Sequence, residues 1–316
     1  MIGLLSKIFV ELRWIWLGFS LALAIVMGLL TALLPKVLGD IHQLFDSLPF
    51  IRPMMTALLG VDPGLNLTST MSQAFLWVHP TVLTIVWAHE VIYCTRVPAG
   101  EVDRGTVDFL LGLPISRMKL FACETIGWLV SGIVILACGY SGHLIASIYL
   151  EPEMRPPTMV TAFVMMNFFA VYLAVGGFAF LVSALSDRRG RAMGVVFAVL
   201  LISFLVNFIA QFWDPLKRSP TNPLQGQSTR SAIVSPLTAM GVDTTSLPGI
   251  QSATGDEQQA GRLSLASFSV MHYYRPAIII QREQLPWKDI LFLLAIGTTC
   301  LVAAAICLRH RSICTV

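Results

Sequence analysis

The sequence is short of charge. Only 12% of its 316 residues are Asp, Glu, Lys or Arg, while 55% are hydrophobic. A soluble domain carries about 25% charged residues, and a soluble chain of this length must keep a polar exterior. The shortage excludes an ordinary water-soluble globule and makes lipid part of the solvent. A net charge of +3 is too mild for a nucleic-acid binder. The chain lacks a G-x-x-x-x-G-K-[ST] loop, so it does not hold nucleotide in that way. It also lacks a C-x-x-C pair. Its six cysteines, Cys94, Cys123, Cys138, Cys300, Cys307 and Cys314, mostly sit in apolar runs and read as packed free thiols. His89-Glu90 begins an H-E-x-x-H zinc motif, but Tyr93 stands where the second histidine belongs. No sequence period of repeat-protein length is present, which excludes a solenoid.

What the sequence does have is long apolar runs. Crossing a hydrocarbon core of about 30 Å takes roughly 20 helical residues. Trp14 to Leu34 is such a run without a charge, too long for the roughly 7–15-residue core of a signal peptide. Further spans are expected at about 74–93, 120–150, 159–185, 192–213 and 290–308. Residues 1–13 mix apolar positions with Lys7, Glu11 and Arg13 and read as an amphipathic helix at the interface. Residues 214–287 form a long segment whose first part, rich in Ser, Thr, Gln, Pro and Gly, is expected to be a flexible loop. Apolar residues return from Leu263, where Tyr273 and Tyr274 suit an interfacial belt.

Lys and Arg in short loops set the orientation. With the N-terminus inside, the inner segments hold eleven: Lys7, Arg13, Arg96, Arg104, Arg117, Lys119, Arg188, Arg189, Arg191, Arg309 and Arg311. The short outer loops hold three, Lys36, Arg52 and Arg155. Both termini are therefore expected in the cytoplasm, and residues 214–287 outside it.

The stretch Pro98 to Lys119 faces the cytoplasm in this scheme. A short helix is expected between Pro98 and Pro114, with Glu101 and Asp103 in its first turn, where the helix dipole favours anions. Val102, Thr106, Phe109, Leu110 and Leu113 would share one face, and Glu101, Arg104 and Asp108 the other. Ser116 is placed to cap the next span. The stretch reads either as a solvated connector or as a docking helix, apolar toward the membrane and charged toward a cytoplasmic partner.

Ionisable residues inside the spans invite a functional reading, because a charged side chain at a helix centre costs about 3 kcal/mol on insertion scales. Glu90 and His89 are either a wet helix end or part of a pathway or gate. Glu124 reads as an interfacial ion pair near Lys119 or as part of the same gate. His79 and His143 read as packing histidines or, with His89 and Glu90, as the relay of a proton-coupled secondary transporter.

The pattern Glu101-x-x-Arg104-Gly105-Thr106, then Leu110-Leu111, then Pro114-x-Ser116-Arg117, resembles the segment after the second span of ABC-2 type transporter permeases. His272-Tyr273-Tyr274-Arg275-Pro276 resembles a segment that precedes the last span in some members. The terminal Leu308-Arg309-His310-Arg311-Ser312-Ile313 resembles their cytoplasmic end, with Ser312 where an Asp is usual. In layout the resemblance covers residues 1–316 as one transmembrane domain. It implies an all-α membrane protein with six transmembrane helices, the N-terminal amphipathic interfacial helix and a short cytoplasmic coupling helix within residues 98–117. It implies a permease subunit of an exporter in the cell membrane, paired with a second copy or a similar permease. A separate cytoplasmic P-loop ATPase subunit would hold ATP and Mg, and this chain would bind no cofactor. The coupling residues implied are Glu101, Asp103, Arg104, Gly105, Thr106, Asp108, Leu110, Leu111, Pro114, Ser116 and Arg117.

Overall fold

The computed structural model describes residues 2–47, 67–106, 116–218 and 269–311. Among them the regular structure is helical, without a strand. Hydrocarbon offers no hydrogen bonds, so a backbone that crosses it must satisfy itself internally. Helix α1 runs Ile2–Ser47, α2 Leu67–Val78, α3 Pro80–Cys94, α4 Arg117–Ser147, α5 Thr158–Leu185, α6 Arg189–Arg218, α7 Pro276–Arg282 and α8 Trp287–His310. Six helical runs are long and apolar enough to cross a membrane, and α2 with α3 supplies one of them. The five described cysteines carry no disulfide.

The amphipathic stretch at residues 1–13 is helical from Ile2 and continues into the first span without a break. No Gly or Pro separates the two, and Ile8 and Leu12 are buried on the bundle while Lys7 and Glu11 remain exposed. At 46 residues, α1 is roughly 70 Å long.

The second span is broken at His79. Pro80 removes an amide and takes the first helical position of α3, while the His79 Nδ1 accepts from the Thr81 amide at 3.4 Å.

Helix α5 is the centre. Of its apolar window 72% is buried, against 17–28% for α1, α6 and α8. Lipid tails are as apolar as leucine, so helices here associate by close packing rather than by escape from water. Two pairs show this. Gly142 of α4 lies against the Ala24 carbonyl of α1, and a Cβ there would overlap it. Gly177 of α5 faces Gly297 of α8, where a Cβ on Gly297 would stand 2.6 Å from the Leu173 carbonyl oxygen. These pairs, α1 with α4 and α5 with α8, share the most extensive contacts in the fold.

Part of the segment expected as an outer loop is built into the bundle. Helix α6 continues to Arg218, and residues 269–286 form a 3-10 turn, Val270–Tyr273, followed by α7. Residues 219–268 lie outside the described residues. Tyr274 does not sit in an interfacial belt. It is buried, stacks on Phe168 at 5.2 Å and donates its hydroxyl to the Trp77 carbonyl at 2.9 Å. A buried phenol needs such a partner.

Gly142→Ala and Gly297→Ala are each expected to cost about 1–3 kcal/mol, because backbone cannot move aside for the methyl group. Gly194→Ala, which meets open space on α6, is expected to be neutral or to stabilise by up to about 1 kcal/mol. Thermal unfolding of the purified variants in one detergent checks the ranking.

Candidate functional site

The turn that follows α3 is built from both ends. Thr95 closes the helix by donating its hydroxyl to the Val91 carbonyl at 2.6 Å. Val97 is then extended and joined to Pro98 by a cis peptide. Val97, Pro98, Ala99 and Gly100 are buried. The Ala99 amide donates to the Ser183 hydroxyl of α5 at 3.3 Å, which satisfies a backbone group the irregular turn leaves over.

A single helical turn, Glu101–Asp103, stands on this base. It stops because Gly105 adopts a left-handed φ of 69°. The Gly105 amide bonds the Val102 carbonyl and the Thr106 amide the Glu101 carbonyl, the paired closure that ends many helices. The expected helix between Pro98 and Pro114 is therefore interrupted at Gly105. Thr106 turns back and donates its hydroxyl to the Glu101 carboxylate instead of extending an apolar face. Asp103 and Arg104 are exposed, with Arg104 4.0 Å from Glu101. Asp108, Leu110, Leu111 and Pro114 lie outside the described residues. Ser116 caps α4 by accepting from the Lys119 amide at 3.3 Å.

Three elements meet at Arg96. Its guanidinium donates to Glu124 of α4 at 2.6 Å and to Glu11 of α1 at 2.9 Å. Glu124 is almost wholly enclosed, whereas Glu11 reaches solvent. Burial works against the charge on Arg96, but the adjacent Glu124 carboxylate outweighs it and holds the guanidinium above its ordinary pKa. The ion pair expected for Glu124 is thus made with Arg96, while Lys119 is exposed. Sequence reasoning missed Arg96. The signal was present as three charges of alternating sign, each just inside or just beyond the end of a different apolar run.

Glu90 and His89 are not a wet helix end. Both have no exposed surface. The His89 ring lies 5.5 Å from Phe19 of α1 and 6.2 Å from Tyr172 of α5. Glu90 faces the α5 backbone at Gly176 without a hydrogen bond of normal geometry, and neither ring nitrogen of His89 has a partner. The Tyr93 hydroxyl and the Trp128 indole likewise have no protein partner, so these atoms form a buried polar patch where α1, α3, α4 and α5 meet.

The other histidines sit elsewhere. His79 caps α3, ten residues and about 15 Å from His89 along the span. His143 lies 2.7 Å from the Thr31 hydroxyl, which itself donates to the Met27 carbonyl. Its Nδ1 therefore carries the proton. Among the described residues no hydrogen bond joins His79, His89 and His143 into one relay. Among the described residues no group of three His, Cys, Asp or Glu is placed to hold a metal.

At the same end as Arg96, Arg311 wraps the end of α5. It donates to the Ala184 carbonyl at 2.7 Å, to the Ser186 carbonyl at 3.0 Å and to the Asp187 carboxylate. Arg117 in turn donates to the Arg311 carbonyl at 2.5 Å. Arg311 thus finds its acid in Asp187, from a loop distant in sequence. Ser312 itself lies outside the described residues.

A family model described as "ABC-2 family transporter protein" matches residues 91–310, more than half of the chain. The match takes in the turn after α3, Arg96, Glu124 and Asp187. No curated protein and no solved structure matches the chain.

Removing Arg96 would strand a buried carboxylate beside a second one. Arg96→Gln is expected to destabilise by about 3–5 kcal/mol, and adding Glu124→Gln is expected to recover most of that loss. Glu11→Gln, at the exposed arm, should cost under about 1 kcal/mol. Melting temperatures of the two single variants and the double variant in detergent test this ordering.

Proposed function

The chain belongs to the ABC-2 transporter family and is a membrane permease of ABC-type transport; from that premise we propose that it couples to a separate cytoplasmic ATPase and exports its substrate. In this reading a second copy or a similar permease completes the pathway in the cell membrane, with both termini in the cytoplasm. The ATPase subunit carries the P-loop and holds ATP and Mg. This chain contributes no cofactor site. It presents the stretch 98–117 as the docking surface, with Glu101, Asp103, Arg104, Gly105 and Thr106 at its tip and Ser116 and Arg117 where it re-enters the membrane. Asp108, Leu110, Leu111 and Pro114 complete it by resemblance.

One observation carries the proposal. The turn Glu101–Arg104, exposed at Asp103 and Arg104, stands on a buried base, and Arg96 at the root of that base is ionically bonded to two spans. A push on the tip would therefore reach α1 and α4 directly. Nucleotide binding to the ATPase can favour one arrangement of the spans only through contacts that differ between arrangements, and this turn is where such contacts are available. Glu90 and His89 then act at the gate. Their burial without partners costs free energy in the closed bundle, and separation of α1 and α4 from α5 would hydrate them.

The test is purification of the tagged protein from mild detergent beside an Asp103→Lys, Arg104→Glu variant. Both residues are exposed, so the variant is expected to melt like the parent. A P-loop ATPase that accompanies the parent and is lost from the variant is the expected result. If the parent brings no ATPase from several mild detergents, the coupling proposal fails. A proton-driven transporter would then be tested by uptake under an imposed pH gradient.

A further inference from the structure

Residues 269–286 close one end of the bundle, and their attachments are unusually dense. Ser269 donates to the Ser203 carbonyl of α6 at 2.7 Å, and the Val270 amide donates to the Ser203 hydroxyl at 3.1 Å. Asn167, wholly buried in the first half of α5, uses both halves of its amide. Its Nδ2 donates to the Tyr273 carbonyl at 3.2 Å, and its Oδ1 accepts from the Arg275 amide at 3.3 Å. Tyr273 packs on Phe292 of α8 at 4.2 Å. Tyr274 reaches across to the Trp77 carbonyl of α2. Consecutive residues are thus tied to three different helices.

Within the stretch, two bonds join Arg275 to His272. Arg275 Nε donates to the His272 carbonyl at 2.8 Å, and an Arg275 terminal nitrogen lies 2.7 Å from His272 Nε2. A guanidinium cannot accept, so His272 Nε2 must be the acceptor and the ring must be neutral. A protonated His272 would lose that bond and set two cations against each other. Among the described residues, the charged and titratable groups beside the His272–Arg275 pair are Tyr273, whose ring meets that of His272, and Asp289 on α8, 3.8 Å from Arg275. Helices α5, α6 and α2 contribute neutral partners there: Asn167, Ser203 and the Trp77 carbonyl.

We propose that residues 269–286 are an acid-released latch, in which proton uptake by His272 breaks its bond to Arg275 and frees the segment from α2, α5 and α8. The latch is a property of this chain alone and does not rest on the ATPase reading. Burial, and then the neighbouring Arg275, lower the His272 pKa from 6.5 to about 4. A histidine held down in this way favours the closed segment fully above pH 6.5, and that preference is lost as pH falls through about 4. The direction places release on the acid side.

Hydrogen exchange of the full-length protein in detergent, read by mass spectrometry on peptides from 269–286, tests this. Rates are divided at each pH by those of an unstructured peptide. Between pH 7.5 and 4.5 the opening equilibrium of the segment is expected to rise on the order of tenfold, a value discounted for the partial solvent exposure of His272. Helix α5 should stay protected. His272→Gln keeps an acceptor without a titration and should flatten the response. Tyr274→Phe removes one attachment, so it should raise exchange at pH 7.5 while preserving the pH dependence. Unchanged protection across the pH range in the parent overturns the proposal, as does a His272→Gln variant that responds to pH like the parent.

Discussion

Where a helix of this bundle breaks, the backbone loses its partners in a medium that offers none, and at four of the described breaks a polar side chain takes their place. His79 receives the Thr81 amide where Pro80 interrupts the second span. Ser183 accepts the Ala99 amide where the chain reverses after α3. Asn167 serves two backbone groups of the segment before α8. Arg311 collects the carbonyls at the end of α5. An orphaned amide in such a site costs a sizeable fraction of a domain's net stability. The irregular segments are therefore fixed in position by side chains from helices distant in sequence. Glu90 and His89 lie within α3 and serve no such break, although both are wholly buried.

The membrane class was legible from composition alone, because a deficit of charge this large has one common physical cause. The spans followed from run length, and the Ser116 cap from a hydroxyl placed just before an apolar run. The partners of buried charges were not legible. Arg96 meets Glu11 and Glu124 across 85 and 28 residues of chain, and no local pattern encodes such distances. The Ser312 position looked like a missing acid, but Asp187 reaches Arg311 from across the fold. Tyr274 looked interfacial because an aromatic next to a polar stretch usually is, yet a hydroxyl acceptor was waiting inside the bundle. The docking helix was drawn through Gly105 because its faces alternate correctly, while the left-handed backbone of that glycine ends the turn.

Charge is distributed unequally between the two ends. One end holds the Arg96 ion cluster and the Arg311 cap, which tie α1, α4, α5 and α8 to neighbouring turns. The other end holds one longer ion pair, Arg275 with Asp289 at 3.8 Å, beside neutral hydrogen bonds and aromatic stacking around Trp77, Phe168 and Tyr274. Ion pairs between enclosed groups resist separation more than neutral contacts do. The two ends therefore differ in how readily they loosen, and they differ in which solution conditions would loosen them.

The two glycine-lined pairs give the bundle a mechanical partition. Helix α1 is joined to α4 near one end through Glu11, Arg96 and Glu124, and again near the other through Thr31 and His143. Between those points the Gly142 contact lets the backbones touch. Helices α5 and α8 form a second stave of the same kind, and contact between the staves is much thinner than contact within them. Shear between two stiff bodies concentrates at the seam. Helix α3 lies along that seam, with Glu90 and His89 enclosed on it, so a displacement of either stave as small as a side chain's width is enough to change what surrounds these two side chains.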